Sequence, residues 1–126
     1  MIAAAAIFAL AAATSGHAEP TIDGLRPYYT AAYRECLKDP APTGRPDVDC
    51  TTVELGIQAK RLATRYTWLL RTASAKERLK LQQAQKRWKL TMQERCVPPS
   101  DQSDNIWCEL DYTILRLSQL GGKKSK

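Results

Sequence analysis

The four cysteines of this chain fall into two pairs, Cys36 with Cys50 and Cys96 with Cys108, and each pair brackets a short stretch rich in proline and aspartate. The segments on either side carry apolar residues at helical spacing, so each pair marks a corner where one helix turns into the next. Four cysteines permit three pairings, and spacing alone does not choose among them. Cys36–Cys50 with Cys96–Cys108 is favoured because each bond closes a short loop; a crossed pairing at the same pole is the alternative. Each closure limits the unfolded chain and stabilises by roughly 3 kcal/mol.

Disulfides require an oxidising compartment, and the N-terminus is patterned for export. An apolar run from Ile2 to Ala13 is followed by Thr14-Ser15-Gly16-His17-Ala18, with Gly16 and Ala18 as the small residues a signal peptidase needs. No Lys or Arg precedes the run, a departure from the usual signal that would fit a start codon upstream of Met1. The run breaks well before the roughly 20 apolar residues a membrane span takes. The expected organisation is a signal peptide over 1–18, a helical domain over 19–122 and a flexible basic tail over 123–126, periplasmic or secreted, with no transmembrane segment in the mature form. Eighteen residues removed from 126 leave 108, enough for one modest core.

Cleavage there also removes His17, the single histidine. Ser-His-Asp and Cys-His catalysis, histidine metal ligation and histidine pH switching then all fall away. Oxidised cysteines hold no metal, so no cofactor and no catalytic residue is expected. Asp101 and Asp104 are a carboxylate pair of the kind that cleaves glycosides, but they lie on a short polar loop with no evident pocket to raise one pKa. The chain reads as a non-enzyme.

The fold class expected is all-α: a small four-helix domain built on a central antiparallel helical hairpin, with both disulfides at one pole. The first helix should run from Ile22 to Lys38 with Leu25, Tyr29, Ala32 and Cys36 inward, stopped by Asp39-Pro40. A stiff loop through Pro40, Pro42, Gly44 and Pro46 leads to a second helix beginning at Thr51 or Thr52, whose inner stripe is Leu55, Ala59, Leu62, Tyr66 and Leu69. Ser74-Ala75-Lys76-Glu77 is a capping box, which places a hairpin turn at Thr72 to Ser74. The third helix presents Leu81, Ala84, Trp88 and Met92 or Thr91 and stops at Cys96. The fourth starts after Asp104, carries Trp107, Leu110, Ile114 and Leu117, and ends at Gly121-Gly122.

The run Ala84-Gln85-Lys86-Arg87-Trp88, with Cys96 eight residues after the tryptophan, resembles the signature of the LprI-type lysozyme-inhibitor family of small exported bacterial proteins. The downstream pattern is similar as well: Cys108, Thr113, Arg116 and Leu120 fall where that family has a cysteine, a threonine, an arginine and a leucine. With Leu79 and Tyr66 the likeness covers about half of the mature chain. Met92 stands where the family usually has arginine, and Gln58 lies near where it has asparagine. The resemblance implies an envelope protein that inhibits lysozyme, with Gln85, Trp88, Thr113 and Arg116 as family-motif residues. The physical reading of those four is structural: Trp88 is a core anchor, Gln85 bonds to a helix end or backbone, and Thr113 and Arg116 tie the fourth helix to the third.

Charge is uneven. From Gln58 to Cys96 eleven Lys or Arg stand against two glutamates, giving +9, whereas Asp39–Gly56 together with Val97–Asp111 hold eight acids against Arg45, giving −7. The acidic pole, with Asp47, Asp49, Asp101 and Asp104, is the candidate surface for a cationic protein partner such as lysozyme. Against this, Asp49, Glu54, Asp104 and Glu109 lie near expected helix starts, where acids complement the macrodipole. The basic hairpin is the alternative site, for anionic envelope polymers or a membrane surface; an exported protein has no nucleic acid to meet. A solvated helix face is the plainer reading of those cations.

Overall fold

The computed structural model describes residues 22–38, 46–96 and 102–125, and every regular element among them is helical. Helix α1 (Ile22–Leu25) passes into a 3-10 turn (Arg26–Tyr28) and then, after a break, into α2 (Ala31–Cys36). Three long helices follow: α3 (Pro46–Thr72), α4 (Ala75–Arg95) and α5 (Gln102–Gln119). The signal-like segment, the loop at 39–45, Asp101 and Lys126 lie outside the described residues.

The first helix is broken where one was expected, and Pro27 is the reason. A proline ring removes an amide donor and clashes with the preceding turn, so the chain leaves the helix there. It restarts at Thr30, which adopts extended backbone and accepts a bond from the Tyr33 amide as an N-cap. The inward residues shift accordingly. Leu25, Tyr29 and Tyr33 are buried, while Ala32 and Cys36 face outward.

Helix α3 begins at Pro46, five residues before the expected threonine caps. Proline suits the first position of a helix, where its fixed φ is already helical and its missing N–H would have had no partner. Thr51 and Thr52 therefore lie inside the helix. Thr52 back-bonds to the Val48 carbonyl at 2.7 Å, and Thr51 is buried with its hydroxyl 2.9 Å from that of Tyr33. The inner stripe of α3 is also more polar than expected: Glu54 and Gln58 are buried with Leu62, and Ala59 is exposed.

The Ser74 capping box closes the α3–α4 turn, with Ser74 accepting from the Glu77 amide at 3.2 Å and Glu77 accepting from the Ser74 amide at 3.0 Å. At the same end of the domain, away from the staples, α5 stops in a Schellman turn beside Thr72 and Glu77. The Gly122 amide bonds to the Leu117 carbonyl and the Gly121 amide to that of Ser118, with Gly121 at φ 73°. A β-carbon on Gly122 would collide with the Leu117 side chain, so both glycines are needed.

Helix α3 packs most extensively against α5 rather than against its hairpin partner. One apolar cluster joins Leu25, Tyr29, Tyr33, Cys50, Leu110 and Ile114; a second joins Leu62, Leu117 and Leu120, with Trp88 and Leu81 of α4 against its edge. Both favoured disulfides form, Cys36–Cys50 and Cys96–Cys108, with Cα atoms 5.9 and 5.5 Å apart. They share one pole. Tyr33, bonded to the Thr51 next to Cys50, also packs its ring 6.1 Å from that of Trp107, the neighbour of Cys108.

Candidate functional site

The four motif residues converge on the seam between α4 and α5. Arg116 donates from Nε to Gln85 Oε1 at 2.8 Å, and the Trp88 indole donates to the Tyr112 carbonyl at 3.0 Å. These two bonds tie α4 to α5, as expected of Arg116, but Gln85 bonds a side chain and not a helix end or backbone, and Trp88 packs at the edge of the core. Thr113 does not bridge. Its hydroxyl donates to the Glu109 carbonyl within its own helix, and the residue lines a cavity of about 500 Å³ between α3, α4 and α5. Met92, at the position where the resemblance has arginine, lines the same cavity.

Among the described residues Arg116 is the most heavily buried cation, at 8 % exposure. One of its guanidinium nitrogens, Nη2, is buried without a hydrogen-bond partner. Burial lowers its pKa from the ordinary arginine value, with Tyr66 opposing and the Arg87 charge adding to the shift.

A second polar cluster forms where Pro27 broke the first helix. The break frees the Thr30 amide and the Tyr28 carbonyl, and α3 supplies partners for both. Glu54 accepts from the Thr30 amide at 2.9 Å and the Thr30 hydroxyl at 2.6 Å, and Gln58 donates to the Tyr28 carbonyl at 2.7 Å and to Glu54 at 2.7 Å. Gln58 thus makes a buried polar contact. Arg61 extends the network to the Tyr28 carbonyl, Gln58, Ser125 and the carbonyl of Lys123. Ser125 in turn donates to the Tyr28 carbonyl at 2.7 Å. Residues 123–125, read from their lysines as a flexible tail, lie back along α3 because these backbone groups have partners there.

The acidic pole is thinner in space than along the chain. Glu54 is 1 % exposed and consumed by the Thr30 and Gln58 bonds, nine residues into α3 rather than at a helix start. Asp111 is partly buried, and burial raises its pKa above the ordinary carboxylate value. Its charge, after burial itself, helps to raise the pKa of Tyr29. Tyr33 is pushed up to about 12, chiefly by burial, with the Thr51 bond pulling the other way. Asp49 is exposed, and Asp47 and Asp104 fall in the first turns of α3 and α5, with their side chains outside the description.

Most of the basic face is presented; Arg61 and Arg65 are partly buried and bonded to backbone carbonyls. Lys60, Arg71, Lys76, Arg78, Lys80, Lys86, Arg87, Lys89 and Arg95 are all exposed. Between α3 and the returning C-terminal segment runs an open groove of about 600 Å³, walled by Ile57, Trp68 and Leu117 and rimmed by Lys60, Arg61, Arg65 and Lys123. Periodicity along the sequence carries no sign of this groove, because it depends on the segment beyond Gly122 folding back.

No described helix is long and apolar enough to cross a membrane, and no cluster of His, Cys, Asp or Glu among the described residues is placed to hold a metal ion. No family model, curated protein or solved structure matches this chain.

Proposed function

We propose that this chain is an exported, disulfide-stapled helical protein that acts by contact with another protein, and that its partner is a lysozyme. The observation that carries the reading is the seam of α4 and α5. The residues of the LprI-type signature that bond there, Gln85 with Arg116 and Trp88 with the Tyr112 carbonyl, join the same two helices that the Cys96–Cys108 disulfide joins. Three of the four signature residues thus share a physical role, which supports a likeness of architecture to that family. Export is supported by the two disulfides and the signal-like N-terminus.

In this reading the stapled pole meets the enzyme. Disulfides at Cys36–Cys50 and Cys96–Cys108 cross-link the segments that carry the pole's acids. Carboxylates around Asp47, Asp49, Asp101 and Asp104 steer a cationic partner at short range, although the net charge of +6 opposes its approach from afar.

The test is a lytic assay of the purified oxidised protein against several lysozyme types. Inhibition should weaken roughly tenfold or more when Asp101→Lys is combined with Asp104→Lys, the scale of lost charge complementarity at an interface. Lysis that proceeds unchanged with every lysozyme type would remove the reading.

A further inference from the structure

We infer that the groove between α3 and the C-terminal segment is a docking surface for an anionic lipid bilayer. The inference stands apart from the inhibitor reading and uses the opposite charge of the molecule.

Three observations carry it. First, Trp68 is 52 % exposed and Ile57 38 %, and they lie eleven residues apart on the same outward face of α3, three helical turns along. Both line the same groove, so their exposed apolar surface is shared by one open site. Second, the rim is cationic throughout: Lys60, Arg65 and Lys123 border the groove, and no acidic side chain lines it. Third, the geometry is held in place. Arg65 donates to the Leu120 carbonyl at 2.7 Å and places its guanidinium 4.8 Å from the centre of the Trp68 ring, while Arg61 holds the backbone of Lys123.

That combination selects a bilayer over a soluble polyanion. A polymer of phosphates or carboxylates is satisfied by the cations alone and gains nothing from Ile57 and Trp68. A bilayer interface uses both, because the indole and the aliphatic chain enter the headgroup region while lysine and arginine meet the anionic lipids.

Sedimentation with vesicles tests this, using the full oxidised protein and either phosphatidylcholine alone or phosphatidylcholine with phosphatidylglycerol. Binding should require phosphatidylglycerol and shift tryptophan emission to the blue. Lys60→Glu with Lys123→Glu should weaken it about thirtyfold or more, the effect of losing two favourable surface charges. Trp68→Ser should weaken it several-fold and remove the blue shift, and the exposure of Trp68 means that the fold tolerates the change. Lys86→Glu with Arg87→Glu alters net charge equally on α4, away from the groove, and should cost much less. The inference is overturned by equal losses from the two charge reversals, which would mean that net charge alone binds. It is likewise overturned if Trp68→Ser leaves vesicle binding intact, or if inorganic polyphosphate binds as tightly as the vesicles do and Trp68→Ser leaves that binding unchanged.

Discussion

Helices α4 and α5 are comparable in length and both lie against α3, yet they are held by different physics. Helix α5 sinks Leu110 and Ile114 to zero exposure and adds Leu117 at 2 %. Helix α4, with 21 residues, buries none of them. Leu79 and Leu90 are about half exposed, and Leu81, Trp88 and Met92 reach only the edge of the core. What keeps α4 in place is a bond from Arg78 to the Leu70 carbonyl of α3 near one end, a disulfide at the other, and the two hydrogen bonds to α5 between. A helix can therefore belong to a fold through tethers rather than burial, and the two kinds of attachment should fail differently.

The largest difference should appear on truncating the core. Leu110→Ala should cost about 2–5 kcal/mol, the range for a fully buried leucine, whereas Leu79→Ala should stay within about 0.5 kcal/mol. Denaturant unfolding of the oxidised protein measures both, and equal losses would erase the contrast.

A smaller effect sharpens it. Gln85→Ala leaves Arg116 with a second unpartnered nitrogen and should cost about 1–3 kcal/mol, and Trp88→Phe, which removes the indole donor together with part of the ring's packing, about 1–2 kcal/mol. Amide exchange should then speed up across Ala75–Arg95 while α3 and α5 keep their protection. Faster exchange spread evenly over all three helices would show that α4 is no separate unit.

The smallest effect lies at the stapled pole and depends on pH. Burial raises the Asp111 carboxyl pKa, so the folded state holds that proton more tightly than the unfolded chain. Its contribution to stability is therefore full below the ordinary carboxylate pKa and is lost as pH rises through the folded value. Asp111→Asn should raise the melting temperature near pH 7 by at most about 4 °C and leave it unchanged near pH 3. A gain of equal size at both pH values would assign the effect to packing instead of charge.

Much of this architecture was legible before any coordinate. The capping box at Ser74 and the glycine stop at Gly121-Gly122 are local signals, each satisfied by atoms within a few residues, and they lie where the sequence puts them. The staples were legible as a preference, since two short loops are the easiest to close. The first helix was misread because Pro27 was passed over in favour of the apolar spacing around it. The start of α3 was misread because Pro46 can close a loop or open a helix, and only the packing of Thr51 on Tyr33 reveals which it does.

The candidate surfaces were less accessible still. Counting acids along the chain overstated the acidic pole, because no count shows that Glu54 is spent on the Thr30 backbone and hydroxyl. The basic groove was invisible, because its far wall is a segment that periodicity cannot place.

The amino-acid sequence by itself determined helices, their main stops and the positions where sulfur can join them, because those depend on neighbours a few residues apart. The tertiary structure decided which helix α3 embraces, which charges are withdrawn into polar networks and where an open groove remains. Those outcomes rest on groups tens of residues apart meeting in space, as Thr30 meets Glu54 and Tyr28 meets Ser125. An unpaired amide or carbonyl created at one place is satisfied only by whatever the fold brings beside it.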